Sequence, residues 1–195
     1  MLDFRVWLEK QEGIPDEAIK VQLPSVRMQR EGACGAQAFR AICLYYNVGP
    51  DDEKGHMKLL GTTSNGTWPE SIIKHAKELK FQVESKTGMT IRELVKFLNK
   101  RIPVICAMQA WGEPSKYHTD ASGHYVVAIG YDQEKIYFED PSIDGGKRGF
   151  LPYKEFLRRW HDVDAHGHDC NQLGIAMWRD DPEPQKKITT AKRLE

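Results

Sequence analysis

Four side chains far apart in this chain, Gln29, Cys34, His124 and Asp140, are of the types a thiol needs to attack a carbonyl carbon. Cysteine is nucleophilic as its thiolate, so it gains from a nearby imidazole and from the positive end of a helix. The imidazole gains from a carboxylate that fixes its tautomer. The oxyanion that develops on the carbonyl gains from a neutral amide donor, which glutamine supplies. In the sequence, Gln29 precedes a Cys that opens a helix, His124 begins an apolar strand, and Asp140 closes the strand after it. The start of one hairpin strand lies beside the end of its partner, so His124 and Asp140 are within reach of each other, directly across or diagonally.

Each residue also has a plainer reading. A cysteine in a helix is most often a small buried hydrophobe. Gly32 and Gly35 beside Cys34 argue against that, because glycine in a helix interior costs about 1 kcal/mol. Glycine beside a nucleophile instead lets a substrate backbone approach closely. His124 could be a polar strand cap and Asp140 a turn residue before Pro141, while a lone Gln29 is ordinarily solvated. Cys43 and Cys106 have apolar neighbours and read as core residues. None of the four cysteines forms a C-x-x-C pair, so reduced thiols in a cytoplasm are expected.

A second cluster runs from His161 to Cys170. Its His161, His166, His168, Asp169 and Cys170 are donor types that a divalent metal takes. The spacing has no helical His-x-x-x-His order, so a polar surface loop is the preferred reading and a metal site the alternative. The glycine-rich run at 145–149 is read as a turn, since no strand-to-helix passage surrounds it. The long polar loop 111–122 enters the strand of His124, either lining a cleft or making an ordinary surface excursion.

The elements that must hold these residues follow from periodicity and caps. An amphipathic helix is expected over 2–11, an extended segment interrupted by Pro24 over 21–28, and a helix over 34–46 that is apolar around much of its circumference. Further helices are expected at 51–60, from a Thr67–Glu70 capping box to about 79, from a Thr90–Glu93 box to about 100, and at 152–161. Strands are expected at 81–84, 103–108, 124–131, 135–139 and 173–178, with 124–139 as a hairpin. Helices come first and strands mostly afterwards, which predicts an α+β domain with helices packed on an antiparallel sheet. The expected organisation is a helical extension over 1–20, the domain proper over 21–180, and a disordered polar tail over 181–195.

The charge balance narrows the partners. Twenty-eight basic and twenty-eight acidic residues in 195 cancel, which gives no electrostatic reason to expect nucleic acid. No apolar run approaches a membrane span, and the first residues lack a secretory signal, so a cytoplasmic protein without membrane insertion is expected. Oligomeric state is not legible, and the constellation calls for no cofactor.

Gln-x-x-x-x-Cys-Gly-x-x-Ala at a helix start, Gly-His-Tyr-Val-Val-x-x-Gly-Tyr-Asp at 123–132 and Tyr-x-x-Asp-Pro at 137–141 resemble papain-like cysteine peptidases of the bacteriocin-processing, double-glycine-leader family and their stand-alone bacterial relatives. The resemblance spans roughly 21–178. It implies a papain-like fold, Cys34 as nucleophile, His124 as general base and acid, Asp140 as its orienter, and Gln29 with the Cys34 N–H as oxyanion donors. It further implies a peptide or protein substrate. The chain departs from the family in two places: Ala33 stands where an Asp commonly precedes the Cys, and Gln29 lies five rather than six residues before it. No transporter segments accompany the motif, so a double-glycine leader substrate does not follow. The same triad could pass the acyl group to an amine, as phytochelatin-synthase-like relatives do, or persist in a silent peptide-binding module.

Overall fold

The computed structural model describes residues 12–15, 17–111, 115, 122–144, 148–164, 167–180 and 190–193. Among these described residues, five helices and eight strands run in the order β1 (Glu12–Gly13), α1 (Cys34–Tyr45), α2 (Glu53–Leu60), α3 (Pro69–Glu78), β2 (Gln82–Lys86), α4 (Ile91–Asn99), β3 (Val104–Gln109), β4 (Gly123–Tyr131), β5 (Lys135–Glu139), β6 (Arg148–Pro152), α5 (Tyr153–Arg159), β7 (Gly174–Trp178) and β8 (Thr190–Arg193). One sheet holds all eight strands in the order β1-β8-β6-β5-β4-β3-β7-β2. Every neighbouring pair is antiparallel except β6 and β8. The expected α+β arrangement of helices on a largely antiparallel sheet is therefore present.

α1 is buried on most of its circumference, from Gly35 through Phe39 and Ile42 to Tyr45, and it packs against β4 and α2. That burial explains its run of alanines, which let a central helix approach its neighbours closely. α2 starts where the Asp52 side chain accepts the Gly55 N–H at 2.7 Å, and it stops at Gly61. α4 opens with the expected box, in which Thr90 and Glu93 cap each other's backbone N–H. The box expected at α3 does not form. Trp68 is its N-cap, and Thr67 instead shares a 2.7 Å hydroxyl hydrogen bond with Thr62.

Two further expectations change. The run at 145–149 was expected to be a turn throughout, but Arg148 and Gly149 begin β6. Arg148 is 3% exposed and faces an interior carboxylate, so its charge disguised a core strand. Within the expected tail, Thr190–Arg193 pairs with β6 and β1 instead of fraying, and residues 12–13 of the expected helical extension form β1. The unpaired backbone of a sheet edge accepts such a strand with little help from side chains, which is why composition did not reveal it. The helix expected at 2–11 lies outside the described residues.

The segment before α1 crosses the sheet along β4. Lys20 and Val21 both donate their N–H to the Ile129 carbonyl at 2.9 Å, where the β4–β5 register shifts. Farther on, the Val26 N–H donates to Glu139 at 2.8 Å and the Met28 N–H to the Pro141 carbonyl at 2.8 Å. Arg148 closes this layer from β6 by donating to both Glu139 and the Leu23 carbonyl. The polypeptide leading to Cys34 is thus stitched to the strand end that bears Asp140.

Candidate active site

Cys34 is the first residue of α1 and is partly buried. Its N-cap, Ala33, has no side chain to cap the free N–H groups, and the first turn carries no acidic residue. The positive end of the helix is therefore left uncompensated beside the sulfur, which favours a thiolate. Gly32 and Gly35 have a different purpose from the one expected. At Gly32 φ is +71°, and a Cβ would stand 2.2 Å from the Thr63 carbonyl oxygen. At Gly35 a Cβ would meet Thr67 at 2.8 Å and the Tyr125 ring at 3.0 Å. Both glycines let protein approach protein, and they fix the turn into α1 rather than admitting a substrate backbone.

His124 lies on β4 opposite Met108 of β3, and it is 1% exposed. Its Nε2 donates to Asp140 Oδ1 at 2.7 Å, and Asp140 is itself 3% exposed. The same oxygen accepts the Ser142 N–H at 2.7 Å, so the turn after β5 holds the carboxylate in place. With Nε2 engaged, Nδ1 is left buried without a hydrogen bond of ordinary geometry. The Cys34 thiol is the other group acting on the ring. Over the imidazole lies the Trp111 indole, with ring centroids 4.7 Å apart and planes at 50°.

Electrostatics separates Cys34 from the other thiols. Burial pushes its pKa up, but the neighbouring His124, with the Tyr125 and Gly35 N–H groups, outweighs this and leaves it below the ordinary 9.0. For His124 burial disfavours the cation, yet Asp140 and then Cys34 raise it to about 10. Burial alone would raise Asp140, whereas His124 and Ser142 bring it below 3.8. Each of the three shifts is toward the charged form: thiolate, imidazolium and carboxylate. By contrast, burial moves Cys43 and Cys106 well above the usual thiol range. Cys170 rises to about 11 through burial and the carboxylates of Asp162, Asp164 and Glu70.

A cavity of about 240 Å³ opens beside Cys34 and His124. Its walls are residues 65–68 before α3 on one side, and residues 162–164 with Cys170 on the other. Cys34, His124 and Asp140 are thus brought together. Gln29 is exposed, and its backbone N–H donates to Glu53 at 2.8 Å. Gln37, one turn into α1, is no substitute as an oxyanion donor, because its amide nitrogen is engaged by the Arg27 carbonyl and by Glu53 at 2.9 Å.

The described residues at 161–164 and 167–170 bond to one another. Val163 and Asp169 form an isolated bridge, and Asp164 accepts the His168 N–H at 2.9 Å and faces His168 Nδ1 at 3.0 Å. Among the described residues, which omit His166, no three His, Cys, Asp or Glu converge as a metal-binding group. Of the long loop before β4, Trp111 reaches the site, and Tyr117 and His118 lie outside the described residues. Sequence reasoning missed the indole over His124 and the Tyr125 N–H at the sulfur; neither contact leaves a mark in residue spacing.

The model of the Peptidase_C39-like family matches residues 21–167. No curated protein sequence matches at a significant level. Among solved structures, a protein described as a C39-like peptidase from Bacillus anthracis is similar over 86% of this chain and 100% of its own, with a TM-score of 0.63 and 18% identity. A double glycine motif protease from an AMS/PCAT transporter, solved in complex with the leader peptide, is similar over 86% of this chain and 96% of its own, at TM-score 0.58 and 16% identity. The peptidase domain of Streptococcus ComA, a bi-functional ABC transporter, is similar over 82% and 97%, at TM-score 0.57 and 20% identity. The architecture they share is the papain-like one, with the cysteine at the start of the central helix.

Proposed function

Because the chain belongs to the Peptidase_C39-like family and is accordingly a cysteine peptidase, we propose that it hydrolyses peptide bonds with Cys34 as nucleophile, His124 as general acid and base, and Asp140 as the group that orients His124. The observation that carries this reading is the 2.7 Å bond from His124 Nε2 to a buried Asp140, which leaves Nδ1 for the one cysteine whose pKa is lowered. The thiolate adds to the scissile carbonyl carbon, and the carbonyl π electrons become the oxyanion. The Cys34 N–H and the uncapped end of α1 face that charge, joined by the Gln29 amide when substrate occupies the cleft. Collapse of the adduct breaks the C–N bond, and the imidazolium gives its proton to the departing amine. Neutral His124 then takes a proton from water, whose hydroxyl displaces the thiolate from the thioester and releases the acid.

A peptide or protein substrate is the class this chemistry needs, and one structural neighbour was solved holding a leader peptide. No helix among the described residues is long and apolar enough to cross a membrane. Mass spectrometry of peptide mixtures incubated with the protein tests the reading. Cleavage that disappears in Cys34→Ala supports it, and cleavage that persists refutes it. An added amine that ends up on the new carboxyl terminus would instead mark acyl transfer.

A further inference from the structure

Glu53, the first residue of α2, is a carboxylate only 6% exposed, although it lies outside the triad. Its Oε2 accepts the Gln29 N–H at 2.8 Å and the Gln37 amide at 2.9 Å, while Oε1 accepts Arg30 Nη1 at 2.6 Å. Gln37 lies one turn beyond Cys34 on the same helix and also donates to the Arg27 carbonyl. Its own Oε1 accepts Arg40 Nη1 at 3.3 Å, and Arg40 in turn donates to the Asp51 carbonyl at 2.7 Å, just before α2. Residues 27–30 are therefore gripped at a carbonyl, an N–H and a side chain, all referred to the helix that carries the sulfur.

A buried carboxylate is costly unless its oxygens are matched, and here three donors match it. A core built for stability alone would place an apolar residue at this point at less cost. What the carboxylate adds is a fixed offset between Gln29 and Cys34. In the peptidase reading Gln29 supplies an oxyanion donor, and the conformation of its backbone decides where that amide lies.

We propose that Glu53 is a positioning residue, which holds the Gln29 segment against α1 and so sets the oxyanion donor relative to Cys34. The proposal rests on the peptidase reading. It acts on the transition state rather than on the thiolate, since Cys34, His124 and Asp140 make no hydrogen bond with Glu53.

The test is steady-state peptide hydrolysis together with Cys34 alkylation by iodoacetamide, on wild type, Glu53→Ala, Glu53→Gln, Gln29→Ala and the Gln29→Ala/Glu53→Ala double variant. We expect Glu53→Ala to lower kcat about 10–100-fold with little change in KM, while alkylation and its pH profile stay as in wild type. Glu53→Gln keeps an oxygen acceptor and should recover part of the loss. In the Gln29→Ala background, Glu53→Ala should add less than about 2-fold. Unchanged kcat in Glu53→Ala, a fully additive double variant, or alkylation lost along with turnover each overturns the proposal. Should Glu53→Ala fail to fold, Glu53→Gln decides, and wild-type kcat in that variant shows that the charge positions nothing. Failure of the peptidase reading would look different, as wild-type turnover that Cys34→Ala does not abolish.

Discussion

Asp140→Asn removes one charge from the site and almost nothing else. Asparagine keeps an oxygen where Oδ1 accepts both His124 Nε2 and the Ser142 N–H at 2.7 Å, so the turn and the ring position should survive. Holding the imidazolium to about 10 against an ordinary 6.5 corresponds to about 5 kcal/mol. Asp140 is the first of the two groups that supply this support, with the Cys34 thiolate the second. If half is lost, about 2–3 kcal/mol goes with it, close to two orders of magnitude in rate. The imidazolium pKa falls back toward the ordinary 6.5, and the thiol, with a weaker cation beside it, rises toward 9.0. The bell of kcat/KM against pH should narrow from both sides, with its maximum lowered about 10²–10³-fold. Peptide hydrolysis and Cys34 alkylation, each followed from pH 5 to 10.5, read the two limbs.

Stability supplies a second readout of the same charge. The folded His124 pKa is raised, so its stabilising contribution is complete below about 6.5 and is lost as pH climbs through about 10. Wild-type Tm should therefore decline over that window more steeply than the variant's. An alkaline limb near pH 10 in Asp140→Asn, or an identical decline in Tm, would refute the reasoning.

Cys34 should be the one thiol of four alkylated rapidly at neutral pH, since burial moves Cys43 and Cys106 up and Cys170 stands at about 11; peptide mapping after brief iodoacetamide treatment checks this, and equal labelling of Cys170 argues against the assignment. Gln29→Ala should lower kcat about 10²–10³-fold with KM and alkylation nearly unchanged, whereas full turnover would move the oxyanion role to backbone amides. Arg148→Met should destabilise the fold by about 3–5 kcal/mol, because it strands the buried Glu139, and adding Glu139→Gln should restore part of the loss in urea unfolding; no recovery would show that the guanidinium matters for packing alone.

Much of the candidate site's geometry could be read in the sequence because it is local. His124 and Asp140 terminate two strands of one hairpin, and hairpin geometry brings such ends together whatever surrounds them. Cys34 was legible from its place at the head of a strongly apolar helix. The failures share a cause as well: they are polar groups whose partners no helical or strand periodicity announces. Arg148 looked like turn material until Glu139 was seen beside it, and Thr67 looked like a cap until Thr62 claimed its hydroxyl. Glu53 carried no signal in the sequence, since nothing local announces that Gln29, Arg30 and Gln37 converge on it. The glycines beside Cys34 do mark close approach, but the approaching groups are Thr63, Thr67 and Tyr125 of the protein itself.

The hairpin of β4 and β5 completes its imidazole–carboxylate pair across sixteen residues, whereas the sulfur arrives on a helix from far upstream. On a ribosome the thiol therefore emerges long before the strands that will arm it. During that interval it is an ordinary side chain of pKa 9.0, with no base beside it. Closing so long a loop is entropically demanding, and the docking of α1 on β4 belongs among the later contacts to form. On the proposed triad, proteolytic capacity is consequently an emergent property of the finished core: half-folded siblings in a crowded cell are unarmed, and any breathing motion that lifts α1 from β4 disarms the molecule while leaving the hairpin whole.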